Sequence, residues 1–482
     1  MEIVEKFITE TNDLLWSSIL IILLIGMGIY FSFRTKFVQF RMVKEMIRLL
    51  GEGATADKKG VSSFQAFCIS TASRVGTGNL AGVAIAITTG GPGAVFWMWL
   101  IALIGSASAF IESTLAQIYK VKDGEAFRGG PAYYMEKALN ARWMGITFAV
   151  LISLTFGLAF NSVQANTITS AFQASFGVEK WVTALILAII TAVIIFGGIK
   201  VVAKVSEVIV PFMAGAYVII ALVVIIMNIT ELPSVLALIF DSAFDGLREI
   251  ASGALGAAMM NGIKRGLFSN EAGMGSAPNA GATADVTHPV KQGLIQSLGV
   301  FVDTLIICSS TAFIILFSGL YSSKETDGIV LTQNALSENL GSWAGIFLAI
   351  IVLLFAFSSI VGNYYYGESN ISFINEKKVW INIYRAAVVG MVIFGSMASL
   401  EFVWNLADLL MGSMAIINLI AIALLGKIAF AALADYQKQK KDGKNPVFHV
   451  SNIKGLKNVE CWGEPTDHVE ESSKKVLKKN LD

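Results

Sequence analysis

Charge is scarce in this chain. Asp, Glu, Lys and Arg make up 15% of its 482 residues, against about 25% in soluble domains. With 55% hydrophobic residues and a mean hydropathy of +0.66, it carries more apolar surface than a soluble domain of this length could bury. Cysteine is nearly absent too: Cys68 and Cys308 lie in apolar runs and Cys461 in a polar C-terminal stretch, which excludes a disulfide framework and any CxxC metal or redox spacing. The three histidines, His288, His449 and His468, sit at the end of an apolar run or in the polar tail. The apolar runs therefore hold no metal-ligand cluster and no nucleophile beside a base, and a membrane enzyme is not expected. A net charge of +1 without a basic, aromatic-interleaved stripe excludes nucleic acid as a partner.

What remains is a series of apolar runs with charge between them, as in an all-α integral membrane protein. A bilayer core needs about 20 apolar residues per helix, and on that ruler the chain holds about eleven candidate spans. They run 14–33, 62–89, 94–119, 143–175, 181–198, 204–229, 250–287, 292–320, 343–372, 379–397 and 402–427. The first is long enough to span and is preceded by acidic residues, so it is read as a retained helix rather than a signal peptide. Basic residues recur in alternate loops: Arg34 to Lys59, then Lys120 to Arg142, Lys200 and Lys204, Lys291, Lys377 and Lys378, and finally Lys427 and the tail. Cytoplasmic loops carry that excess, so the N-terminus is expected outside and the C-terminus in the cytoplasm. Residues 433–482 read as a solvated polar extension.

Two spans are polar and glycine-rich at their centres. In the first, Ser70 to Asn79 place Ser70, Thr71, Ser73, Arg74, Thr77 and Asn79 at midplane depth beside Gly76 and Gly78. In the second, Gly266, Gly273 and Gly275 flank Phe268, Ser269, Asn270 and Glu271. Backbone at that depth must be satisfied internally or line a cavity. A pair of glycine-interrupted spans at corresponding positions points to an inverted-repeat transporter. That divides the chain into an extra helix and basic loop (1–61), two five-helix repeats (62–230 and 231–430) and a tail (431–482). Half-helix N-termini suit a carboxylate, and freed carbonyls with Ser, Thr or Asn oxygens suit Na⁺. Small-residue packing at helix crossings is the blander reading of either segment.

Arg74, Glu112, Lys264, Arg265, Glu271 and Asp303 lie within spans and are expected to face the bundle, with Lys264 and Arg265 paired to carboxylates such as Glu112. Gln164 and Asn166, with Asn161 a turn earlier, need either inter-helix partners or substrate. Ser358, Ser359 and Asn363 form a polar patch that either bonds its own backbone or ligates an ion.

The stretch GGPGAVFWMWLIALIG, Gly90 to Gly105, resembles the signature of the alanine or glycine:cation symporter family, the sodium:alanine symporters, as does KRGLFSNEAGMGSAPNA, Lys264 to Ala280. The resemblance covers the first span to about residue 430. It implies a leucine-transporter-like fold, a ten-helix core behind one extra helix, and Na⁺-coupled transport of alanine or glycine. In that fold Val75 to Asn79 match the first break, with the amides of Thr77, Gly78 and Asn79 meeting the substrate carboxylate. Phe268, Ser269, Gly273, Met274 and Gly275 match the second, around the amino group and side chain. The fold's sodium site falls on Ala72 and Val75 of the first core helix and Phe355, Ser358 and Ser359 of the eighth. Glu271 and Arg74 depart from the better-known amino-acid carriers of this fold, where neutral residues are common. The expected partners are a small amino acid and the lipid bilayer, with no obligatory protein. Coupling to H⁺ or another cation, and a channel, are the alternatives.

Overall fold

The computed structural model describes residues 2–52, 60–124, 126–196, 199–245, 256–322, 326 and 328–463. A helix spanning 2–34, α1, contains a π turn at Leu15–Ile19, and after the short turn Val38–Arg41 comes α2 (Val43–Leu50). The first broken pair is α3 (Ser63–Arg74) and α4 (Gly78–Gly90), followed by α5 (Ala94–Ile118), a hairpin β1 (Val121–Asp123) and β2 (Ala126–Arg128), and α6 (Pro131–Leu139). Next come α7 (Arg142–Phe176), α8 (Lys180–Ile195), α9 (Ile199–Met227) and α10 (Leu232–Asp245). The second broken pair is α11 (Ala257–Asn270) and α12 (Ala277–Gly281), followed by α13 (Pro289–Ser318), α14 (Gly328–Leu340), α15 (Trp343–Ile374), α16 (Lys378–Met397) and α17 (Leu400–Lys441).

Local chemistry sets these boundaries. Ser62 and Gln65 form a reciprocal capping box that opens α3. Pro131 occupies the first turn of α6, whose end is Asn140 in the left-handed region at φ 52°. Among the described residues seven helices are long and apolar enough to cross a bilayer, joined by shorter apolar helices at Leu20–Arg34, Gly78–Gly90, Lys180–Ile195 and Leu232–Phe244. The helix at Leu232–Phe244 stands where the sequence reading placed a loop. It packs on α5, where the Trp97 indole donates to the Ala243 carbonyl at 3.2 Å. The expected span 250–287 begins outside the described residues; its helices are α11 and α12, separated by residues 271–276.

The outer faces of α8 and α9 expose Ile186, Ile189, Val193, Phe212, Ile219 and Ile226, which only a hydrocarbon environment makes tolerable over such an area. Trp143, Trp181, Trp343 and Trp380 are exposed near the first turns of α7, α8, α15 and α16, where an interfacial belt places indoles. Inside, α5 packs along α13 and α11, α7 along α15 and α16, and α3 against α9 and α15.

The expectation of a solvated extension from 433 is corrected for residues 433–463. Helix α17 continues to Lys441, and the chain then returns across the ends of the other helices. Phe448 is 2% exposed and its amide donates to the Thr287 carbonyl at 2.9 Å; the Trp462 indole donates to the Gln117 carbonyl, also at 2.9 Å. Two aromatic anchors outweigh a polar average. Residues 464–482 lie outside the described residues.

Candidate functional site

Helix α3 stops because its next residues bond elsewhere. Val75 leaves helical geometry with φ −79° and ψ 90°. The Gly76 amide, which an uninterrupted helix would give to the Ala72 carbonyl, donates instead to Asn79 Oδ1 at 2.9 Å. The Asn79 amide, due to Val75, donates to the Gly76 carbonyl at 3.3 Å. Two carbonyl oxygens, those of Ala72 and Val75, are thereby released at the centre of the bundle.

Helix α15 meets them with hydroxyls. Ser359 Oγ lies 2.9 Å from the Ala72 carbonyl, 3.4 Å from that of Val75 and 3.0 Å from that of Phe355. Ser358 Oγ is 2.8 Å from the Phe355 carbonyl and 3.5 Å from that of Ala72. The five residues expected to ligate sodium are therefore together, buried, and offer only neutral oxygens. Such a set fits a hard monovalent cation once the hydroxyl protons turn away.

Gln164 on α7 reaches the same break and accepts the Thr77 amide on Oε1 at 3.1 Å. Asn166 does not join it; its amide ties α7 to the Gly395 and Ala398 carbonyls on the α16 side. Gly78 has no room for a side chain, since a Cβ there would lie 2.9 Å from the Phe268 ring and 3.1 Å from the Ser269 Cα. The two breaks thus touch at Gly78 and Phe268. Phe268 lies between Phe160 at 4.3 Å and Trp404 at 4.5 Å, centroid to centroid, and this aromatic stack closes one end of the site.

The second break is made by left-handed backbone: Glu271 at φ 57°, Gly273 at 84° and Gly275 at 88°. Gly273 donates its amide to Glu112 Oε1 at 3.2 Å, and its carbonyl accepts from Asn418 Nδ2 at 2.9 Å. Asn418 also donates to Glu112 Oε2 at 2.7 Å and accepts from the Tyr134 hydroxyl. Gly273 therefore lies on the α5 and α17 side of its break, away from Gly78; its neighbour Met274 is fully buried. Asp303 on α13 accepts from Asn79 at 2.7 Å, Ser269 at 2.8 Å and Thr304 at 2.9 Å, which bridges the two breaks.

The expected pairing of Glu112 with Lys264 and Arg265 is corrected. Both cations meet Asp408 on α17, and Arg265 also stacks over Trp404 at 4.4 Å. Glu112 is committed to Gly273 and Asn418. Asp408 and Asn418 carried the signal that finds such residues, an ion and an amide inside the apolar run 402–427. Phe160 and Trp404 carried none, because an aromatic in an apolar helix is indistinguishable from core.

A family model described as the sodium:alanine symporter family matches residues 1–450. The chain belongs to that family. Among relatives of this symporter, a probable sodium/glutamine symporter, GlnT of Bacillus subtilis (strain 168), is 60% identical over 462 residues, covering 96% of each chain. The amino-acid carrier protein AlsT of the same organism is 59% identical over 458 residues, 95% of this chain and 97% of its own. A crystal structure of MhsT in complex with L-phenylalanine superposes with a TM-score of 0.56 at 14% identity, over 80% of this chain and 99% of that one. That likeness establishes the leucine-transporter-like fold. The symporter is a multi-pass membrane protein and a secondary transporter that couples an amino acid to sodium, not an enzyme.

Proposed function

We propose that this symporter carries small neutral amino acids, alanine and glycine, together with Na⁺, by alternating access around the two breaks. The observation that carries the reading is the pair of carbonyls, Ala72 and Val75, released where Ser358, Ser359 and Phe355 converge. Bound there, Na⁺ would supply a positive charge that holds α3 against α15. The amides of Thr77, Gly78 and Asn79, with Gln164 beside them, would take the substrate carboxylate at the positive end of α4. Phe268 would bound the amino group and side chain, and Gly273 and Met274, on the far side of the second break, would hold that wall in place. Residues 62–230 and 231–430 form the two repeats, behind the helix and loop of 1–61, and 431–482 form a cytoplasmic tail. The N-terminus lies outside and the C-terminus inside, as the alternation of basic loops requires.

A second substrate, glutamine, is favoured by the name of the 60%-identical relative. Uptake of labelled alanine into proteoliposomes, with and without an inward Na⁺ gradient and with unlabelled glycine or glutamine in competition, decides both points. Gradient-dependent accumulation displaced by glycine supports the proposal. Accumulation indifferent to Na⁺ rejects the coupling, displacement by glutamine alone reassigns the substrate, and uptake that never exceeds equilibrium indicates a channel.

A further inference from the structure

Glu271 lies inside the second break, where the expected ligands leave it without a task. Its Oε2 accepts from the Ser276 hydroxyl at 2.5 Å and its Oε1 lies 2.8 Å from Ser73 Oγ on α3. Ser73 Oγ is also 2.7 Å from Asn363 Oδ1 on α15. One hydroxyl proton therefore stands among three oxygens that make two contacts.

The direction of donation is fixed from the far end of the chain. Asn161 Nδ2 donates to the Gly157 carbonyl at 3.1 Å, so Asn161 Oδ1 must be the acceptor for Asn363 Nδ2, also at 3.1 Å. Turning either amide over would set two carbonyl oxygens against each other. Asn363 thus presents its oxygen to Ser73, and Ser73 spends its only proton there. Its contact with Glu271 then needs a proton from the carboxyl side. The spacing leaves room for hydrogen and for no metal ion between the two oxygens.

We propose that Glu271 is a proton-binding site, a neutral carboxylic acid in this structure, whose proton completes a hydrogen-bonded chain from Ser276 through Glu271, Ser73, Asn363 and Asn161 to Gly157. A carboxylic acid donates from one oxygen and accepts on the other, as the geometry at Ser73 and Ser276 demands. The chain ties both broken helices to α15 and α7. When the proton leaves, the Ser73 hydroxyl turns to the carboxylate and Asn363 loses its donor, which removes one tie between α3 and α15 and leaves those made by Ser358 and Ser359. The charged and titratable groups facing Glu271 are Arg74 from α3, Asp303 from α13 and the Tyr366 hydroxyl from α15. Arg74 also faces Glu112, and its one hydrogen bond among the described residues goes to the Gln296 carbonyl at 3.2 Å, so a single cation serves three carboxyl groups. The Tyr366 hydroxyl also faces Ser73; donating to the Ser73 oxygen, it leaves Ser73 the same single proton to give.

Infrared difference spectra of the purified protein, wild type minus Glu271→Gln, test this without substrate or sodium, so a failure of the symport reading leaves the result intact. Expected at neutral pH is the carbonyl stretch of a protonated carboxyl, lost as the pH is raised; carboxylate bands alone would overturn the proposal. Ser73→Ala removes the hydroxyl that would turn to the carboxylate once the proton leaves, a charge-assisted bond stronger than the neutral one it replaces, so the same band should titrate higher by about one pH unit or more. A midpoint unchanged in Ser73→Ala overturns the proposal even if the glutamine variant does not fold.

Discussion

The two broken helices solve one problem with opposite materials. Chain leaves helical geometry at Val75 without any left-handed residue, and neutral side chains, Asn79 and Gln164, take up the stray amides. At Glu271 to Gly275 three residues are left-handed and a carboxylate, Glu112, takes the Gly273 amide. A break stoppered by neutral groups can exchange them for a cation and a zwitterion, because nothing charged must be displaced. A break whose amide is already taken by a carboxyl group that also holds Asn418 has its donor committed within the protein. The first therefore reads as the exchangeable half of the site and the second as its rigid wall.

Glycine substitutions separate the halves most sharply. Gly275→Ala places a side chain at φ 88°, at a cost of about 1–2 kcal/mol, and drives it within 2.8 Å of Phe148 and Pro131 and 2.9 Å of Asn418. The expected outcome is loss of folded protein, read as the monodisperse fraction in detergent. Gly76→Ala carries no left-handed penalty, but its Cβ runs into the Ser359 hydroxyl and lies 2.9 Å from Gln164 Oε1. That variant should fold and melt near the wild type while Na⁺-driven uptake falls to background. If Gly76→Ala misfolds and Gly275→Ala transports, the assignment of wall and site is reversed.

Within the first break the hydroxyls should rank by reach. Ser359 touches both released carbonyls, whereas Ser358 approaches only that of Ala72, at 3.5 Å. Ser359→Ala should raise the Na⁺ concentration for half-maximal uptake about tenfold, close to 1.4 kcal/mol, and Ser358→Ala roughly threefold. Substrate preference should be untouched in both. Equal effects, or none, would move the cation away from this cluster.

How much of this was legible follows from what each residue had to contrast with. Gly76, Gly78, Ser358 and Ser359 were visible because polarity and glycine stand out in an apolar run, and the structure brings them within contact. Gln164 and Asn166 looked alike in sequence; only the crossing of α7 with α16 sends one to the break and the other to the Gly395 carbonyl. Pairing within the buried charges was not legible, because three cations and several carboxylates can be matched many ways until the helices are placed. The docking of residues 442–463 was hidden by composition, since Phe448 and Trp462 carry it among Lys, Asn and Asp.

Different at their centres, the broken helices end as one object on one face of the bundle, and a lysine reports on it. The Val61 amide donates to the Thr283 carbonyl at 3.2 Å and the Asp285 amide returns to the Val61 carbonyl at 2.9 Å, which zips the start of α3 to the segment after α12. Just past the end of α5, Lys120 is 2% exposed, gives its ammonium to the Ala284 carbonyl at 2.8 Å, and lies 4.0 Å from the Phe127 ring centroid and 5.1 Å from that of Trp462. Burial pulls its pKa from an ordinary 10.5 down to about 8. Between those values the unfolded chain holds a proton that the folded chain has shed, so stability rises with pH. The contribution is complete above about 10.5 and gone once the pH has fallen to about 8. Going from pH 8 to 10, the wild type should gain about 2 °C in melting temperature over Lys120→Met. Parallel curves for the two proteins would mean that the lysine stays charged and the zipped ends remain wet.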